Sequence, residues 1–260
     1  MKKFINNIKK YYKYAIYSAK AELKSEVADS YLNWLWWIVE PFCFMLIYTF
    51  VFGVVFKNNT PYFASFVFIG LTSWDFFNRM INGSVKLIIN NRDLVTKVYI
   101  PKYILLLSKS FTYIFKMGIS LLITFCLMIF QGVPFSLHIV LIIPIFIVLY
   151  IVSFGIGMIL MHYGVTLNDL GNLTNIALRM VFYLSGIFYN INERLHGTLK
   201  YILIRVNPIA FCMNELRKVM IQNAIPNFTV LFLWLVIGLI LCFVGINLIH
   251  KNENSYAKVI

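Results

Sequence analysis

LNWLWWIVEPFCFMLIYTFVFGVVF, residues Leu32–Phe56, is a run of twenty-five residues that is apolar almost throughout and opens on Trp34, Trp36 and Trp37. A helix of that length reaches about 37 Å, more than the ~30 Å hydrocarbon core of a bilayer. The tryptophans at its start read as an interfacial aromatic belt. Five further apolar runs follow: Tyr62–Ile81, Tyr103–Phe130, Leu137–Tyr163, Leu173–Tyr189 and Phe228–Ile249. Together they predict an all-α integral membrane protein with six transmembrane helices, forming one hydrophobic domain over 1–260. Composition agrees: 60% of residues are hydrophobic and 13% charged, against roughly 45–50% and about 25% in soluble domains.

The stretch 1–30 differs from the spans. Seven lysines lie between residues 2 and 24. At 100° per residue they share an arc of about 120°, and Phe4, Ile5, Ile8, Tyr11, Tyr12, Ala15, Ile16, Ala19 and Leu23 share the opposite one. This predicts an amphipathic helix lying in the membrane interface. Its first apolar span comes too late for a cleavable signal peptide. The net charge of +13 belongs to topology and anionic headgroups, not to nucleic acid, because no soluble domain carries it.

Six spans place both termini on one side, and lysine and arginine counts choose the cytoplasm. The N-tail, the polar segment 82–102 and the C-tail hold seven, four and two basic residues; the turns Lys57–Pro61 and Gln131–Ser136 opposite hold only Lys57. The expected location is the plasma membrane, multi-pass, with both termini in the cytoplasm. The stretch 190–227 is half-apolar and broken by Asn207-Pro208 and Pro226. It reads as external re-entrant half-helices, tolerated at that depth only when packed on protein. Its five basic residues depart from the charge rule.

Several chemistries lack their motifs. No GxxxxGK[ST] loop, HExxH, GxSxG or CxxC occurs, the four cysteines are scattered, and His138, His162, His196 and His250 stand far apart. The expectation is no catalytic residue, no metal site and no cofactor in this chain. Charges inside spans are few and costly. Asp75 and Arg79 lie in span two, Lys109 and Lys116 in span three on a stripe with Tyr113, Ser120 and Thr124. Asp75 and Lys109 match in depth, about 10 Å from their span ends, so an ion pair between them is expected; snorkelling is the other reading for Lys109. Pro41 and Pro144 are expected to kink spans one and four, and Gly155 and Gly157 to let helices approach.

Four blocks carry a resemblance. They are YLNWLWWIVEPFCFMLIYTFVFG (Tyr31–Gly53), GLTSWDFFN (Gly70–Asn78), NNRDLVTKVYIPK (Asn90–Lys102), and FYLSGIFY (Phe182–Tyr189) followed by Asn207-Pro208, Glu215 and Arg217. In this order and spacing the chain resembles permease subunits of ATP-binding-cassette exporters for O-antigen, capsular polysaccharide and teichoic acid. It departs from them at Asn33, where a glycine is common, and at Asn168-Asp169, where Arg-Asp is common.

The resemblance implies a homodimer with two copies of a nucleotide-binding ATPase subunit, which would hold the ATP and Mg. It implies a substrate of undecaprenyl-pyrophosphate- or phosphate-linked glycan. Asn90, Asn91, Arg92, Asp93, Leu94, Lys97 and Tyr99 become candidates for coupling to the ATPase. A short helix is expected there, capped by Asn90 or Asn91, with an Asp93–Lys97 pair and with Leu94 and Val98 on one docking face. Trp34, Phe42, Phe52, Phe182 and Tyr189 become candidates for lining a glycan path, since sugar C–H groups meet the negative face of an aromatic ring; lipid-facing or packed aromatics are the plainer reading. Lys116 either meets lipid pyrophosphate or anchors the bundle. A drug or small-lipid permease of the same architecture, a membrane-embedded glycan-modifying enzyme and a secondary transporter are the rival readings.

Overall fold

A computed structural model describes residues 2–28, 31–55, 60–191, 197–253 and 255–256, the side chains of 2–5 and 199 aside. Asp29 and Ser30, the turn residues Lys57–Asn59, His196 and the tail beyond Tyr256 lie outside the described residues. Every described element is helical. In chain order they are α1 (Lys2–Val27), α2 (Trp36–Tyr48) with a 3-10 turn before it and a π-helical stretch Thr49–Val55 after it, α3 (Phe63–Val85), α4 (Leu87–Asn90) and α5 (Arg92–Lys97). There follow α6 (Tyr103–Phe130), α7 (Ile142–Thr166) entered by a 3-10 turn, α8 (Leu170–Leu184), α9 (Thr198–Val206), α10 (Pro208–Met220) and α11 (Phe228–Lys251).

Four of these are long and apolar enough to cross a membrane: Asn33–Val55, Tyr103–Phe130, Leu137–Thr166 and Phe228–Lys251. The other two expected spans look different for physical reasons. α3 is the central helix, packed against α2, α6, α7, α8 and α10. Buried on nearly every side, it replaces lipid-facing bulk with Ser65, Thr72, Ser73 and Ser84 and so reads as less apolar. α8 stops at Leu184, short of the expected Tyr189, because Ser185-Gly186 turns the chain and Gly186 takes φ +68°.

α7 and α11 form the closest pair. A Cβ at Gly155 would sit 2.8 Å from Leu241 and 2.9 Å from the Cys242 nitrogen, so glycine sets their separation. Gly164 abuts the Val85 carbonyl and closes α7 onto the end of α3. Pro41 lies inside α2 as expected. Pro144 instead falls in the first turn of α7, where the missing N–H costs little.

α1 is two-faced as expected, with Lys9, Lys10, Lys13, Lys20 and Lys24 exposed and Ala15 and Ala19 buried. It also packs on the bundle, along α6. Asn7 donates to the Tyr103 hydroxyl (2.7 Å), Ser108 to the Ala15 carbonyl (3.1 Å), and Lys116 meets Glu26. Nineteen residues of α1 (7 to 26) thus follow thirteen of α6 (103 to 116), about 28 Å against about 20 Å. The helix leans obliquely along α6 rather than crossing it at one level.

Candidate functional site

Two of the four blocks singled out in the sequence, Gly70–Asn78 and Phe182–Tyr189 with Arg217, meet at one buried side chain. Arg217 is 6% exposed. It donates through Nε to the Phe66 carbonyl (3.1 Å), through Nη1 to Gly186 (2.8 Å) and through Nη2 to Ile187 (2.8 Å), and its guanidinium lies 3.5 Å from the Phe66 ring centroid. The Gly186 turn presents these carbonyls, and Gly70 leaves room: a Cβ there would come within 2.6 Å of Nη2. Glu215, two residues away, is 1% exposed. It accepts from Lys218, from Asn214 and from the Asn227 backbone N–H at the start of α11, where a helix favours negative charge. Asn207 caps α10 through Ile209 and Ala210 and ties to Ser185 (2.9 Å), with Pro208 as the first helical residue. These four residues therefore hold α10 to α3, α11 and the end of α8.

Below this node, α2, α3, α6 and α8 enclose a cavity of about 210 Å³. Trp37, Phe44, Tyr48, Phe68, Trp74 and Phe182 supply aromatic walls, and Glu40, Asp75, Arg79, Lys116, Thr72 and Ser120 supply polar ones. An aromatic ladder leads to it. Phe52 stacks on Phe188 at 4.3 Å, Phe182 meets Phe188 edge-on at 5.5 Å, and Trp74 meets Phe182 at 5.2 Å. Of the aromatics named as path candidates, Phe182 lines this cavity and Phe52 joins the ladder. Trp34 and Phe42 lie on the exposed surface of the chain, 56% and 38% exposed. Tyr189 turns its hydroxyl to the Tyr183 carbonyl.

The four charges expected in spans two and three are each paired, but not as depth matching suggested. Arg79 reaches Asp75 one turn before it (2.7 Å) and Glu40 across the cavity (4.0 Å). Lys109 meets Glu22, which also accepts from Thr112, and Lys116 meets Glu26 at 2.7 Å. The expected Asp75–Lys109 pair is therefore absent. An (i, i+4) partner on its own helix satisfies Asp75, and the acids of α1 cover the basic stripe of α6. Glu22, Glu26 and Glu40 escaped sequence reasoning because their partners come from other elements.

Beside the cavity, a groove of about 500 Å³ opens between α3 and α8, lined by Asn78, Asn82, Asn175 and Arg179 with Trp74, Phe182 and Tyr183. Three amides and a guanidinium thus stand together on the outside of the bundle, with Asn82, Asn175 and Arg179 exposed. The amide spacing, Asn78 to Asn82 at (i, i+4) with their side chains bonded (3.0 Å), was the available sequence signal.

At the basic end, α5 forms where the short helix was expected, and Asp93 pairs with Lys97 at 3.7 Å. Capping differs: Asn91 turns back to donate to the Leu87 carbonyl and so closes α4 rather than opening α5. Leu94 packs inward on the core, whereas Val98 and Tyr99 are 47% and 68% exposed with Arg92, Asp93 and Lys97 beside them. Lys102 is buried behind this surface. Desolvation lowers its pKa and Glu253 opposes the shift.

The sequence profile of ABC-2 type transporters matches residues 16–221. The O-antigen export system permease protein RfbA of Myxococcus xanthus is 25% identical over 239 residues, covering 92% of each chain. Two Klebsiella pneumoniae proteins of the same name are 25% and 24% identical over 247 residues, again with 92% of each chain covered. With profile, full-length likeness, four membrane-length helices and the packed motif node in agreement, the chain belongs to the ABC-2 type transporter family as a membrane permease.

Proposed function

We propose that the chain is the transmembrane subunit of an ATP-driven exporter moving undecaprenyl-linked polysaccharide, of O-antigen, capsule or teichoic-acid type, outward across the plasma membrane. In this reading α3 and α8 complete six spans, both termini face the cytoplasm, and α9 and α10 dip in from outside. Two copies associate, and two ATPase subunits holding ATP and Mg dock at the basic end around α5.

The observation that carries the reading is the groove of Asn78, Asn82, Asn175 and Arg179 on the outside of a single copy. Such groups are costly against lipid and are tolerated where they face protein or water. A second copy placed over α8 turns the groove into the wall of a hydrated path. Amides and aromatic rings there suit a hydroxyl-rich chain. The names of the full-length relatives point to the same cargo class.

The test is deletion with complementation. Loss of the chain removes long glycan from the cell surface while polyprenyl-linked glycan accumulates inside, and the purified chain carries that lipid, detected by mass spectrometry. Unchanged surface glycan together with a small lipid or drug as the co-purified molecule overturns the reading.

A further inference from the structure

We propose that the cavity between α2, α3, α6 and α8 is a subsite for one uncharged sugar ring, held within a single copy; this rests on the glycan reading above and narrows it. The charge balance decides against a phosphate. Lys116 is engaged by Glu26 at 2.7 Å, and Arg79 by Asp75 at 2.7 Å with Glu40 at 4.0 Å. Three carboxylates thus surround two cations. A diphosphate would find no unpaired cation and would face the acids Glu40 and Asp75. Lys116 therefore anchors α1 to α6 rather than reading a lipid diphosphate.

What remains open in the cavity is hydrogen-bonding capacity of another kind. Each carboxylate has two oxygens, and Arg79 approaches only Oδ2 of Asp75 and Oε1 of Glu40. Thr72 is 4% exposed, and its hydroxyl has no partner among the described residues. Its neighbours make the contrast clear: Ser73 bonds the Ile69 carbonyl (3.0 Å) and Ser84 the Ile81 carbonyl (2.7 Å), each one turn back. A buried hydroxyl without a partner is destabilising; its oxygen is shielded as the side chain stands, and a rotamer change at Thr72 is what brings it to a ligand hydroxyl.

The aromatic walls complete the chemistry. Trp37, Trp74 and Phe182 offer ring surfaces to the C–H groups of a pyranose, while its hydroxyls meet Asp75, Glu40 and Thr72. The volume, about 210 Å³, is sufficient for one ring. A lipid tail in the same space would leave Thr72 and both acids unanswered.

The test uses the full chain in lipid nanodiscs, free of sugar detergents. The probes are methyl pyranosides of glucose, galactose, mannose, rhamnose and N-acetylglucosamine, read by saturation-transfer NMR, and inorganic diphosphate, read by phosphorus line broadening. At least one pyranoside binds saturably and diphosphate does not. Thr72→Val weakens that binding about tenfold, the loss of one hydrogen bond; Thr72→Ser retains it. Thr72→Val also melts no lower than the parent, because it removes an unpaired hydroxyl at constant shape. Three results overturn the proposal: no pyranoside binds, Thr72→Val binds as tightly as the parent, or diphosphate competes for the site. Because the assay reads binding to the permease alone, its failure leaves the surface-glycan phenotype standing, and failure of that phenotype is seen separately in the deletion strain.

Discussion

Arg217 shows how a single side chain can carry a fold without an ionic partner. Its three carbonyl contacts come from α3 and from the turn after α8, so one guanidinium fixes the spacing of three segments. Lysine has the charge but not the planar fork, and it leaves Gly186 and Ile187 without their second donor. Arg217→Lys is therefore expected to cost about 2–3 kcal/mol, seen as an earlier detergent melt, with Arg217→Met at least as severe. The ion pairs joining α1 to α6 make a second residue-scale prediction. Glu22→Gln and Lys109→Met each destabilise, and the double variant recovers part of the loss, a coupling of about 1 kcal/mol for a half-exposed pair. Zero coupling in that cycle would mean α1 is held by its other contacts, Asn7–Tyr103, Ser108 with the Ala15 carbonyl, Glu26–Lys116 and the packing of Ala15 and Ala19. The partnerships themselves were hidden in the sequence. Glu22 and Lys109 are 87 positions apart, and carbonyl ligands such as Gly186 carry no residue signature at all.

At the level of elements, periodicity and length sufficed for α1, α6, α7 and α11, whose apolar faces are set by lipid on one side and protein on the other. They were weaker guides to α3 and α8. A central helix is free to be polar where neighbours cover it, and α8 ends at the left-handed Gly186, a local stop signal inside an otherwise apolar run, whose carbonyl Arg217 then holds. The coupling region has the same character. The (i, i+4) Asp93–Lys97 pair was legible because it is local, while the inward turn of Leu94 follows from packing against Val95's neighbours in the core. This changes which substitution tests docking. Leu94→Asp is expected to unsettle the fold itself by about 1–3 kcal/mol. Tyr99→Ala and Val98→Asp alter only exposed groups, so dimer and melt should stay intact. If α5 receives the ATPase, either variant lowers export about tenfold or more, as loss of an aromatic anchor does, with ATP hydrolysis retained. Normal export in Tyr99→Ala moves attention to exposed Leu167 in the loop after α7, which packs on α4.

For the whole molecule, the decisive asymmetry lies between two outer faces. The outer face of α11 shows Phe232, Leu233, Val236, Ile237, Ile240, Phe243 and Val244, a surface made for lipid. The outer face of α8 shows Leu173, Ile176, Met180 and Tyr183 interleaved with Asn175 and Arg179. If α8 spans the membrane as proposed, a lone copy would leave those polar groups in hydrocarbon, so the second face is expected to look onto water enclosed between two copies. Thiol reactivity separates the cases, because the thiolate forms in water and not in lipid. The four native cysteines are all free and are first replaced by alanine. Tyr183→Cys and Ile240→Cys then sit at similar distances from the basic end, thirteen residues from Leu170 and eleven from Lys251, about 20 and 16 Å. Both side chains are exposed in a single copy, 68% and 56%, so burial alone does not distinguish them. A charged, membrane-impermeant methanethiosulfonate is expected to label Tyr183→Cys and spare Ile240→Cys. Ile176→Cys, on the same face of α8, should crosslink to its counterpart through a short bifunctional reagent. Labelling of Tyr183→Cys as slow as that of Ile240→Cys would place both helices against lipid, and the path for cargo would then have to run through the interior of each copy.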